Sequence, residues 1–208
     1  ELRKRAAEPC PHGGTVLTCS PCAGDAKAGD VENPTSWLLT RIAANCDKRF
    51  PRRYVDAETD HADVIAWTRR YIDDPTDAPS LLIVGPTGVG KAYQAYGALR
   101  RAVTNEKFPK WEATTFADFT AALRPSGKDP EGSLRSYRTA DLLLIDDLGA
   151  AKHSEWVEET SYRLINGRYE YMKPSIFTTN LPLKDLREAL GDRIASRLVE
   201  TCVRVALP

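Results

Sequence analysis

The sequence has little of what marks an extreme class of protein. Its 208 residues carry 29 basic and 29 acidic side chains, so the formal net charge is zero. The balance is local as well: residues 1–79 hold 11 basic and 13 acidic groups, and residues 80–208 hold 18 and 16. Without a global field to draw in polyanions, contact with nucleic acid has to come from a local patch. No run approaches the roughly 18 apolar residues of a membrane span, so no membrane partner is expected. No signal peptide is visible, although the chain opens at Glu1 rather than Met, which leaves upstream residues open. Internal repeats and low-complexity tracts are absent. Hydrophobic residues at 42% and charged residues at 28% exclude global disorder, collagen and coiled coil. What remains is a neutral globular chain, read as cytoplasmic and long enough to bury a core without disulfide staples.

The five cysteines argue against a disulfide framework, because the number is odd and the spacing uneven. Cys10, Cys19 and Cys22 crowd together with His12, whereas Cys46 and Cys202 stand apart. Three thiolates and an imidazole make a closed tetrahedral Zn2+ site, structural because no coordination position stays open. Gly13-Gly14 permits the tight return between the two halves. Surface thiols in a leader segment are the plain alternative. Cys46 on a helix and Cys202 in a strand read as core fillers, and His61 and His153 as surface residues near helix starts.

Three regions follow. Residues 1–34, rich in Gly, Ala, Pro and Cys, form a zinc-binding segment and linker. Residues 35–74 are a helical N-terminal region. One helix begins at Thr35 or Ser36 with Leu38, Leu39, Ile42 and Ala43 on its apolar face. A second runs from Asp60, as N-cap, to Ile72, with Val64, Trp67, Thr68 and Tyr71 on one face. Residues 75–208 alternate short apolar runs with longer periodic segments, the pattern of a parallel α/β sheet. Strands are predicted at Leu81–Val84, Glu112–Phe116, Leu142–Ile145, Ser175–Thr179 and Cys202–Ala206. Helices are predicted over Gly90–Asn105, Ala117–Leu123, Leu183–Leu190 and Asp192–Val199, and over Glu155–Met172 with Val157, Leu164, Ile165 and Tyr169 inward. Pro125–Gly132 reads as a polar loop and Ser133–Thr139 as a helical turn.

Gly85-Pro86-Thr87-Gly88-Val89-Gly90-Lys91 follows a buried strand and opens a helix, the context a phosphate loop requires. Its glycines let backbone N–H groups curl around a phosphate, the helix N-terminus adds positive potential, and Lys91 reaches the β/γ oxygens. The next position calls for a Ser or Thr whose hydroxyl ligates Mg2+, yet Ala92 stands there. Nucleotide binding should survive this change, and metal-dependent hydrolysis should suffer. Leu142–Ile145 ends in Asp146 and Asp147, a Walker-B arrangement with Asp146 assigned to Mg2+ and Asp147 to water activation.

These motifs continue into Leu148-Gly149, Phe177-Thr178-Thr179-Asn180 and Gly191-Asp192-Arg193-Ile194-Ala195-Ser196-Arg197-Leu198. Together they resemble the AAA+ helicase loaders of the DnaC/IstB-like ATPase family over about residues 75–208. The resemblance implies an AAA+ P-loop core with a five-stranded parallel sheet and a minimal or absent lid. It implies ATP or ADP with Mg2+ as ligands, Asn180 as sensor 1, and Arg197, with Arg193 in the same box, as arginine finger. A finger acting on a neighbour implies self-association into a ring or spiral. Arg193 and Arg197 are i, i+4, so both guanidinium groups leave one helix face.

The family's loaders contact the helicase through their N-terminal region, which implies residues 1–74 here, with the helical stretch 35–74 as the candidate partner contact. They also bind single-stranded DNA in the ring channel. Lys48, Arg49, Arg52 and Arg53 form one basic cluster; Arg124, Lys128, Arg135 and Arg138, with Tyr137 between, form the better placed one. A solvated loop explains either cluster equally well. Three functions are carried forward: an ATPase that loads a replicative helicase on single-stranded DNA, an IstB-like transposition ATPase, and a nucleotide-dependent adaptor that hardly hydrolyses because of Ala92.

Overall fold

The computed structural model describes residues 46, 48–104, 109–150 and 154–208. Cys10, His12, Cys19, Cys22, the helix expected from Thr35, and His153 lie outside these residues.

The apolar runs build one sheet. Strands β1 (Ser80–Val84), β2 (Trp111–Thr115), β3 (Leu142–Asp146), β4 (Ser175–Thr179) and β5 (Cys202–Ala206) pair in the order β2-β3-β4-β1-β5. Every pairing is parallel, so each connection crosses over through helix. The helices are α1 (Ala62–Asp73), α2 (Lys91–Val103), α3 (Phe116–Ala122), α4 (Pro130–Thr139), α5 (Glu155–Glu170), α6 (Leu183–Leu190) and α7 (Asp192–Thr201).

Period-two alternation sends neighbouring strand residues into two different cores. Leu81, Ile83, Leu142, Leu144, Ile176 and Val205 pack with Phe50 and with residues of α1 and α2. Leu82, Leu143, Ile145 and Phe177 pack on the other side with residues of α3, α5, α6 and α7. Because both faces are covered at the centre of the sheet, β1 and β3 read as unbroken apolar runs. Cys46, 3% exposed, fills the first core. Cys202 packs against the second, where burial pushes its thiol up to about 12.

Helix α1 buries Val64, Trp67, Thr68 and Tyr71, the face its spacing predicts. Its N-cap is His61 rather than Asp60, and no side chain caps it. Asp60 is held instead by α2, because Gln94 Nε2 donates to its carboxylate. Gln94 Oε1 accepts from the Thr59 hydroxyl at 2.7 Å and from the Asp60 and His61 amides at 3.2 Å each. His61 is therefore half-buried, not a plain surface residue. The polar loop expected over Pro125–Gly132 ends earlier, since α4 begins at Pro130. Asp129 accepts the Gly132 N–H at 2.9 Å, and Pro130 occupies the first turn, where its missing N–H costs nothing.

Helix α5 buries Val157, Leu164 and Ile165 as expected, but its next inward residue is Arg168, 3% exposed, while Tyr169 lies at the rim. The Arg168 guanidinium donates to the carbonyls of Tyr137, Ala140 and Pro174 at 2.7, 2.9 and 2.6 Å and to the Ser175 hydroxyl at 2.7 Å. It ties the end of α4 to the start of β4. Burial lowers its pKa to about 10, so it stays charged at neutral pH.

Candidate nucleotide site

The site lies where the strands end. Gly85 follows β1, and its N–H donates to the Thr179 carbonyl at 3.3 Å, tying the loop to the tip of β4. A Cβ on Gly85 would overlap the Leu207 carbonyl oxygen, so glycine is required by close approach. Gly88 and Gly90 have φ of +93° and +90°, and a Cβ on either would meet no atom within 4 Å. Left-handed backbone around open space is a cradle for an anion, with the first amides of α2 at its rim. Lys91 is 6% exposed, and its ammonium donates to the Pro86 carbonyl at 2.7 Å, folded across the loop. Half-buried Ala92 follows with no polar side-chain atom to offer.

Strand parity aims the acid. Asp146 follows Leu144 by two positions and Thr178 follows Ile176 by two, so both face the α2 side of the sheet. Asp146 is 8% exposed, and Thr178 donates its hydroxyl proton to Asp146 Oδ1. Burial pushes the Asp146 carboxyl above its ordinary range and the Asp147 charge adds to this, while the Thr178 hydroxyl and the Lys91 charge oppose it. Asp147 is exposed at φ +55°, and its N–H donates to Thr178 Oγ1 at 2.9 Å. Asn180 Nδ2 donates to Asp147 Oδ1 at 3.5 Å. Phosphate loop, strand-end acids and Asn180 thus converge.

A raised carboxyl pKa has a stability consequence. The folded chain resists ionising Asp146, so its deficit is absent below the unfolded carboxylate value of about 3.9 and complete above the folded value. Asp146→Asn is expected to raise the ligand-free melting temperature at pH 7 by about 3 °C, corresponding to about 1 kcal/mol. Thermal denaturation at pH 3 and pH 7 checks this: the gain should vanish at the acid end.

The two arginines of α7 lie against α5. Arg197 stacks on the Tyr169 ring at 3.8 Å and contacts Glu200 at 3.4 Å, while Arg193 lies 5.9 Å from the Tyr162 ring. The Tyr169 hydroxyl donates to Glu200 at 2.7 Å, closing a cradle around Arg197. Both guanidinium groups share one helix face and remain at the surface.

The basic residues divide. Arg135 and Arg138 line a cavity of about 610 Å³ with Tyr171 and Lys173, whereas Arg124 lies 5.9 Å from the Trp156 ring. Lys128 is exposed, and Tyr137 turns inward with its ring edge on Phe119. Of the other cluster, Arg49 lies 3.8 Å over the Trp111 ring and pairs with Glu112 at 3.1 Å.

Two features escaped the sequence reading. Thr178 belongs to the Phe177–Asn180 motif, and its own signal is a polar residue inside an apolar strand. Tyr54 stacks on Tyr96 at 4.4 Å, within electrostatic range of Asp146, and no local pattern announces that pairing.

A parallel sheet with a glycine cradle, a folded-back lysine and strand-end acids at its carboxyl edge defines a P-loop nucleotide-binding domain. Residues 66–206 match the family described as IstB-like ATP binding protein, and the chain belongs to that family. By lineage it is DnaC/IstB-like. The Replicative helicase loader DnaC of Escherichia coli (strain K12) is 25% identical over 138 residues, covering 62% of this chain and 54% of that protein. The Chromosomal replication initiator protein DnaA of Bifidobacterium animalis subsp. lactis (strain AD011) is 30% identical over 131 residues, covering 58% of this chain and 22% of that protein. The chain therefore spans about half or less of the length of these curated relatives. In fold it resembles the crystal structure of the DnaC helicase loader, with a TM-score of 0.66 at 24% identity over 76% of this chain and all of that one. The crystal structure of the DnaI gives a TM-score of 0.67 at 17% identity over 79% of this chain and 97% of that one. No helix among the described residues is long and apolar enough to cross a membrane.

Proposed function

We propose that the chain binds ATP with Mg2+ and acts as a helicase-loading ATPase of the DnaC type. The observation that supports this most is the convergence of the open glycine cradle, Lys91 and the Asp146–Asp147–Asn180 group at one sheet edge. Backbone amides of Thr87–Ala92 and the Lys91 ammonium would take the phosphates. Asp146 would hold Mg2+, which when bound neutralises phosphate charge and polarises the phosphoryl oxygens. Asp147, kept near Asn180, would orient the attacking water. Arg197, with Arg193 beside it, would complete a neighbouring subunit's site in a ring or spiral. Arg124, Lys128, Arg135 and Arg138 would track single-stranded DNA, and Cys10, His12, Cys19 and Cys22 would hold a structural Zn2+.

Ala92 favours a second reading, a nucleotide-dependent adaptor with little turnover, because the hydroxyl that completes the metal's ligand set is missing. Titration with a fluorescent ATP analogue tests the shared premise. Lys91→Ala should weaken binding by roughly 10–100-fold, the worth of one charge-assisted contact or two. Unchanged affinity would sink the site assignment. Co-purification with a replicative helicase, rather than with a transposase, separates the loader from the transposition ATPase.

A further inference from the structure

The β3–β4 ladder stops short of the site. Its parallel register runs Leu143 to Ser175, Leu144 to Ile176 and Ile145 to Phe177, and goes no further. Beyond it the strand tips are joined by the threonines of β4. Thr178, fully buried, donates its hydroxyl proton to Asp146 Oδ1 and accepts the Asp147 N–H at 2.9 Å. Its carbonyl accepts the Leu148 N–H at 2.8 Å, and the Thr179 hydroxyl donates to the Leu148 carbonyl at 2.8 Å.

We propose that Thr178 is the positioning residue for both acids of the site, its single hydroxyl setting the rotation of the Asp146 carboxylate and the turn at Asp147. This rests on the nucleotide reading above and assigns a role to a residue outside its binding groups. The donated proton fixes how the Asp146 carboxylate is presented toward a metal. The accepted N–H holds Asp147 at φ +55°, a conformation that costs energy for any residue with a Cβ. In that turn the Asp147 carboxylate lies 3.5 Å from the Asn180 side-chain amide. The role needs one donor and one acceptor at the same atom, which a hydroxyl supplies and a methyl does not. Serine is therefore a functional replacement for Thr178, and isosteric valine is not.

The test measures affinity for a fluorescent ATP analogue on the full chain, once in Mg2+ and once in EDTA. In Thr178→Val the EDTA affinity should stay near wild type, while the tightening conferred by Mg2+ should fall about tenfold or more. Thr178→Ser should keep that tightening to within about threefold. Should the valine variant fail to fold, as circular dichroism would report, Thr178→Cys supplies similar volume with a poor donor. Full Mg2+ tightening in the valine or cysteine variant would overturn the proposal. So would a serine variant as impaired as valine, which would assign the effect to methyl packing. Equal wild-type affinity in Mg2+ and EDTA would remove the metal site and Thr178's role but leave the phosphate loop standing. A wild-type chain that binds no nucleotide in either condition would overturn both readings.

Discussion

Ala92→Thr is expected to raise Mg2+-dependent ATP hydrolysis by about a hundredfold. Metal ions in phosphoryl transfer contribute several kcal/mol of charge stabilisation, and a correctly placed ligand set governs how much is realised. Residue 92 follows Lys91 at the start of α2, the position at which a phosphate loop supplies the Mg2+-ligating hydroxyl. Recovering about 3 kcal/mol there corresponds to roughly two powers of ten in rate. Nucleotide affinity measured in EDTA should barely change, since the backbone cradle and Lys91 are untouched. A steady-state phosphate-release assay on the two proteins decides the matter. Equal and negligible rates in the presence of helicase and single-stranded DNA would favour the adaptor reading.

The second large effect lies away from the site. Arg168→Leu is expected to destabilise the fold by about 4 kcal/mol, because the Tyr137, Ala140 and Pro174 carbonyls lose their donor inside the protein. An uncompensated buried acceptor costs about 1–3 kcal/mol, and three of them approach the whole stability of an ordinary domain. Arg168→Lys keeps a charge but offers three donors without the planar fork, so about half the loss is expected. Urea denaturation followed by tryptophan fluorescence measures both. A leucine variant within 1 kcal/mol of wild type would show that water replaces the guanidinium.

Much of the site was legible in the chain because phosphate chemistry imposes local spacing. Glycines that must curl a backbone, a lysine beside them and acids ending an apolar strand are fixed by short-range geometry. The five strands were found to within about a residue; β1 and β3 announce themselves as unbroken apolar runs because they are buried on both faces. Helix α4 was under-read because Asp129-Pro130 looks like a turn until the Gly132 amide is seen bonded to Asp129. Tyr169 was placed inward because an aromatic ring fits a helical stripe. Arg168 took that position, since it satisfies carbonyls that no apolar side chain could.

By itself, then, the sequence determined the parallel α/β class, the phosphate loop, the acid pair and the absence of a Mg2+-ligating hydroxyl at Ala92. Each depends on residues within a few positions of one another. The tertiary structure alone decided that Thr178 holds both acids, that Arg168 ties the end of α4 to the start of β4, and that Arg197 rests on Tyr169. The contacts of Thr178 and Arg197, and those of Arg168 to α4, join residues 28 to 32 positions apart across strands or helices. A buried hydroxyl or guanidinium takes its role from the groups that surround it in space, and the order of β3 and β4 in the sheet supplies them.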